Sequence, residues 1–233
     1  MKNTKKIISI LILSAIALTG AGCSRTSTGN NEANGALTSF NKIVKTYPNN
    51  KGFHKTLQHW GLKLSGDNKF EWTKDTSANK IDFAMVIEAD PLIKAGLDVK
   101  KLDEKDFVFK PAATEDAVKL SNRIVHPYNV SDKKEFSSGS EDAFRRLLKQ
   151  DLSLVKYNKD ENIYVLNLGN SYEVEWPENI DNSDETLKFV IPAEKLTKAG
   201  LDINKLEGTG WKIEKVNSGN SNKDQLVKSF ILK

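Results

Sequence analysis

Three histidines, at 54, 59 and 126, are the side chains best suited to proton transfer or metal ligation near neutral pH. His54 and His59 stand five residues apart, which matches neither one helix face nor one strand face. Ordinary histidines are expected there, and no metal centre. Ser39-Phe40-Asn41-Lys42 spaces a serine and a lysine as in an acylating S-x-x-K pair, but no K-T-G or S-D-N element accompanies it. It reads as the exposed face of a helix. Asp181-Asn182-Ser183-Asp184-Glu185 has the acid density of a calcium loop. Thr186 stands where that loop needs glycine, and Pro192 where it needs glutamate, so a solvated acidic loop is expected. No G-x-S-x-G, H-E-x-x-H, Walker A or dinucleotide fingerprint occurs. No catalytic residue and no cofactor is expected, and a non-enzymatic role is the favoured reading.

The single cysteine, Cys23, excludes an intramolecular disulfide and any cysteine-based zinc site. Lys2, Lys5 and Lys6 precede an apolar run from Ile7 to Leu18, and Gly20, Ala21 and Gly22 lead into Cys23. A charged start, a short apolar core and small residues make residues 1–22 a secretory signal peptide. Leu18-Thr19-Gly20-Ala21-Gly22-Cys23 resembles the lipobox of bacterial lipoproteins. Gly20 replaces the large aliphatic residue usual three positions before the cysteine. The resemblance implies a diacylglyceryl group on Cys23, further acylation with a chain such as palmitate, and attachment to a membrane outside the cytoplasm. Ser24 after the cysteine resembles the outer-membrane sorting choice, should the cell be Gram-negative. Two acyl chains, at about 0.8 kcal/mol per buried methylene, hold a protein stably on a bilayer. Residues 23–36, rich in Ser, Thr, Asn and Gly, read as the lipidated cysteine and a flexible tether reaching roughly 20 Å.

The elements behind these residues are set by an internal repeat. A shift of 104 aligns Leu37–Lys110 with Glu141–Glu214 without a gap, and 18 of the 74 pairs are identical. Val86–Leu102 and Val190–Leu206 share 11 of 17 residues, including Lys-Ala-Gly-Leu-Asp. Two tandem homologous α+β units are therefore expected, at 37–128 and 141–233, joined by a linker over 129–140. Each opens with a helix (Ala36–Thr46, or Ala143–Gln150 capped by Ser140). Period-two alternation through Leu62, Leu64, Phe70, Trp72, Phe83 and Met85, repeated from Leu166 to Ile191, predicts a mainly antiparallel sheet of about four strands. A short helix ending at Gly96 or Gly200, a further strand and a closing amphipathic helix complete each unit.

Residues shared by both units favour structure over catalysis, for no histidine, serine or cysteine is among them. Lys-Ala-Gly-Leu-Asp reads as a helix end: left-handed glycine, leucine packed back, aspartate capping the next turn. Trp72 and Trp176 are expected in the core, with Glu71 and Glu175 on the opposite strand faces. Trp60 and Tyr164 correspond in the repeat. Placed outside the alternation of the leucines that follow them, they are the aromatics expected to face a ligand.

Net charge decides between partner classes. The whole chain carries +4, but loss of residues 1–22 leaves 32 basic against 31 acidic residues. Residues 37–128 carry 15 basic and 12 acidic side chains, and 141–233 carry 14 and 16. A nearly neutral mature chain lacks the basic face that nucleic acid requires. The resulting expectation is an extracytoplasmic lipoprotein that binds a small ligand or an envelope protein, with a site between the units. The alternative is a cell-envelope hydrolase using Glu71 and Glu175 as a carboxylate pair across that interface.

Overall fold

The computed structural model describes residues 25–55, 58–74, 81–115, 117–130, 139–218 and 221–233. The expected signal peptide and Cys23 lie outside these residues. Helix α1 spans Arg25–Thr46. Ala33, Ala36, Phe40, Ile43 and Val44 recur at three- and four-residue steps on its buried side, and Pro48 limits it. From Arg25 onward the segment expected to be a tether is therefore helical. Its small residues explain the difference, because Gly35 lets the helix approach the ring of Tyr164 closely.

The first sheet contains β1 (Lys51–His54), β2 (His59–Lys63), β3 (Lys69–Thr73), β4 (Phe83–Glu88), β5 (Val108–Lys110) and, after a small hairpin, β8 (Arg123–Tyr128). The hairpin is β6 (Ala113–Glu115) with β7 (Val118–Leu120), and α2 (Asp90–Lys94) follows β4. The strand order is β1-β2-β3-β4-β8-β5. Next comes α3 (Ser140–Gln150), then β9 (Val155–Asn158), β10 (Ile163–Asn167), β11 (Glu173–Pro177), β12 (Leu187–Pro192), α4 (Ala193–Thr197), β13 (Lys212–Ser218) and β14 (Ser221–Phe230). Read from β9, the second sheet runs β9-β10-β11-β12-β14-β13, the same pattern as the first. Every strand pairing described is antiparallel. The described residues thus form a mixed α/β protein with four α-helices and antiparallel sheets of six, six and two strands.

Each large sheet has six strands where about four were expected. The closing segments are strands β8 and β14, and not amphipathic helices. Ile124, His126 and Tyr128 alternate inward along β8, and the segment pairs with the buried strand β4. Gly139 holds the N-cap position, and Ser140, expected to cap α3, lies within the first turn. Its carbonyl instead accepts from Trp72 Nε1 at 2.9 Å.

One apolar core joins both sheets. Phe40 of α1 and Phe144 of α3 stack at 4.1 Å, and both rings lie within 6.2 Å of Trp72 and Trp176. Helix α1 packs on β9 and α3, and Ser39 Oγ donates to Pro177 O of β11 at 2.6 Å. Helix α3 reaches the opposite way, setting Phe144 against Phe70 and Phe83 of the first sheet. The two Lys-Ala-Gly-Leu-Asp segments also meet. Asp98 N donates to Ala199 O at 2.8 Å, and Asp202 N donates to Ala95 O at 2.9 Å. Among the described residues no helix is long and apolar enough to cross a membrane.

Candidate functional site

Strand alternation turns His59, Gly61 and Lys63 of β2 and Lys69 and Glu71 of β3 away from the core. The pairing register sets Gly52, Gly61, Glu71 and Ala84 side by side across β1 to β4. Three of those four residues are small, so the outer face sinks into a cleft of about 280 Å³. A Cβ added at Gly52 would meet nothing within 4 Å. In the second sheet the corresponding row is Lys156, Val165, Glu175 and Lys188, and larger side chains occupy the row.

His59 is the unusual member of the cleft. It is only 7% exposed, yet neither ring nitrogen makes a hydrogen bond. Nδ1 lies 3.5 Å from Glu71 Oε2, an ion-pair separation at which no hydrogen bond forms. Gln58, with φ of 55°, turns the chain sharply into β2, and its carbonyl accepts from Lys74 N at 2.8 Å. That turn fixes His59 at the start of the strand. Lys51, Lys63 and Lys69 line the same cleft. Lys63 and Lys69 are direct cross-strand partners.

The other sheet handles its charges internally. Lys188 Nζ lies 2.6 Å from Glu175 Oε2. Burial pushes the carboxyls of Glu173 and Glu175 up from their ordinary range. Burial opposes the Lys188 charge, but the hydrogen bond and proximity to Glu175 carry its pKa above the usual lysine value. An amine and a carboxylate held this close compensate each other's charge and leave little for an ionic ligand.

The expected ligand-facing aromatics are placed differently. Trp60 and Tyr164 are two residues from Leu62 and Leu166, hence on the same core-directed face. Tyr164 is 7% exposed, with its ring 5.0 Å from Tyr157 and its hydroxyl beneath Gly35 of α1. It is a core residue and not a ligand-facing one. Trp60 is half-buried against Phe53 at 4.8 Å and lies on a different sheet from Tyr164. Between the sheets, packed aromatic rings stand where the ligand site between units was expected. Glu71 and Glu175 line separate clefts on the outer faces of separate sheets, so the expected carboxylate pair is not assembled.

The remaining candidates have structural partners. Lys42 pairs with Asp181 at 2.5 Å, which takes it away from Ser39 and gives the acidic loop a cation. His126 is buried between the sheets, stacked on Tyr172 at 3.7 Å, with its nitrogens 2.7 Å from Asp106 O and 3.2 Å from Leu168 O. Burial holds its pKa below the ordinary histidine value. Among the described residues no group of three His, Cys, Asp or Glu is arranged to hold a metal ion.

Spacing within one element does not reveal how His54 and His59 come together. A hairpin makes His54 and His59 direct cross-strand partners. The usable signal was the contrast between the units, with Gly52, Gly61 and Ala84 facing Lys156, Val165 and Lys188 in the alignment. Comparison with protein-family models, curated proteins and solved structures finds no match to this chain.

Proposed function

We propose that the protein is a duplicated, membrane-anchored extracytoplasmic lipoprotein that binds a small ligand without transforming it, in the cleft of the first sheet. The observation that carries the binding role is the open cleft on the outer face, where His59 sits with both ring nitrogens buried and without a hydrogen bond. Buried polar groups are normally satisfied, and a polar ligand that a small turn of the His59 ring lets reach it would supply the missing partner. The duplication draws support from the shared strand order and from the reciprocal bonds between the two Lys-Ala-Gly-Leu-Asp segments. The anchoring draws on the lipobox-like segment ending at Cys23. With Cys23 acylated, α1 begins two residues later and carries the fold close to the bilayer.

Two measurements test this reading. Metabolic labelling with a palmitate analogue should mark the protein and hold it in the membrane fraction, and Cys23→Ala should abolish both. For the cleft, ligand-observed NMR with the chain from Ser24 onward screens monosaccharides, amino acids, short peptides and their phosphorylated forms. Hits should be lost in His59→Ile, which carries the residue found at the corresponding position 163. If every hit survives that change, or no compound binds, the cleft is not the ligand site.

A further inference from the structure

We infer that the cleft of the first sheet takes a small organic anion that also carries hydroxyl groups, of the class of sugar phosphates and sugar acids. This rests on the reading of the cleft as a ligand site. The anionic end follows from the lysines. Lys63 and Lys69 face each other directly across β2 and β3, an arrangement that is destabilising for like charges. Among the described residues neither has an ion-pair partner within 4 Å, although Lys69 lies close enough to Asp67 to lower its pKa, and Lys51 lines the same cleft. An anion seated between Lys63 and Lys69 relieves their repulsion. The second sheet has no such demand, because Asn167 and Glu173 occupy the corresponding pair and hydrogen-bond at 3.4 Å.

The hydroxyl end follows from Glu71, with His59 beside it. The Glu71 carboxylate repels a second anion, whereas a hydroxyl can donate to it and, once the neighbouring ring turns toward the cleft, accept from the imidazole. Glu71 stands two residues from Lys69 on one strand face, a separation of about 7 Å at the rise of an extended chain. A monosaccharide with one terminal anionic group spans that distance. The cleft volume of about 280 Å³ fits one such unit and not a long chain. Its floor is open for the ring, because Gly52 presents no side chain.

The test follows the amide signals of Gly52 and Gly61 in the isotopically labelled chain from Ser24 onward, which contains the whole described fold. The probes are glucose 6-phosphate, glucuronate, glucose and inorganic phosphate. At least one of the first two should shift both amides saturably, and glucose and phosphate should bind at least tenfold more weakly. The two anions together tell whether phosphate or carboxylate is preferred. Replacing both Lys63 and Lys69 by Ala should weaken the anionic probe tenfold or more. Gly52→Val should abolish its binding with the fold intact, since the new side chain enters open space. Equal binding of glucose, equal binding of phosphate, or indifference to the lysine changes overturns this ligand class. So does silence of both amides toward all four probes. If the broader screen then still yields a ligand lost in His59→Ile, the cleft reading stands and only the class is wrong.

Discussion

Burying a polar group without a hydrogen bond costs about 1–3 kcal/mol, and His59 is in that position at 7% exposure. A buried position selected for stability alone would hold an apolar residue, as the second sheet does with Ile163. His59→Ile is therefore expected to raise the free energy of unfolding by about 1 kcal/mol in urea titrations while removing ligand binding. Loss of stability instead would mean that His59 supports the sheet. His126 presents the opposite case, with a carbonyl oxygen near each nitrogen. Burial keeps its folded pKa below 6.5, so the unfolded chain takes up the proton first. Stability is then present above pH 6.5 and lost as pH falls from there toward the folded value. The melting temperature should drop between pH 7.5 and 5.5 in the wild type. In His126→Phe, which keeps a ring against Tyr172, that drop should be smaller; an unchanged drop would assign it to other groups. Residue types alone could not separate these two histidines, because the difference lies in which backbone carbonyls each ring meets after folding.

At the scale of elements, the glycine that ends each short helix has two roles. Gly96 and Gly200 adopt φ of 103° and 96°, the left-handed conformation expected from Lys-Ala-Gly-Leu-Asp, and Asp98 and Asp202 cap the following turns. This much was legible, because a helix end is a local event written in adjacent residues. The second role was not, since a Cβ on Gly96 would stand 2.9 Å from Gly200 O, more than a hundred residues away. Gly96→Ala combines left-handed strain with that clash and disturbs the bond from Asp98 N to Ala199 O. It should cost at least ~2 kcal/mol, measured by chemical denaturation. Gly52→Ala, whose Cβ meets open space, should stay within about 0.5 kcal/mol. Equal effects from both would remove the contact from the account. The elements misread from sequence failed for a related reason. β8 and β14 take their strand state from pairing with β4 and β12, and the start of α1 is helical where it covers the second sheet. Partner-induced structure leaves a weak local signal.

At the scale of the molecule, sequence similarity divides the chain at residues 129–140, but packing does not divide there. Helix α1 precedes the first sheet and packs on β9, while α3 precedes the second sheet and places Phe144 against Phe70 and Phe83 of the first. Each half therefore supplies part of the other's core. Phe40 and Phe144 stack where the helices cross, and all four central rings belong to one cluster. A domain separable at the linker would retain its own helix on its own sheet. Fragments 25–130 and 139–233, expressed alone, should each expose apolar sheet and lack the cooperative transition of the whole chain. Mixed together, they should recover native near-ultraviolet dichroism, because the missing helix of each is present in the other. Phe144→Ala should cost about 3–5 kcal/mol and lower amide protection in both sheets by similar amounts. Two separate thermal transitions in the intact chain, or protection lost in only one sheet, would show that the halves fold independently. A single transition means that a ligand bound on the first sheet stabilises the second sheet as well, since neither can unfold alone.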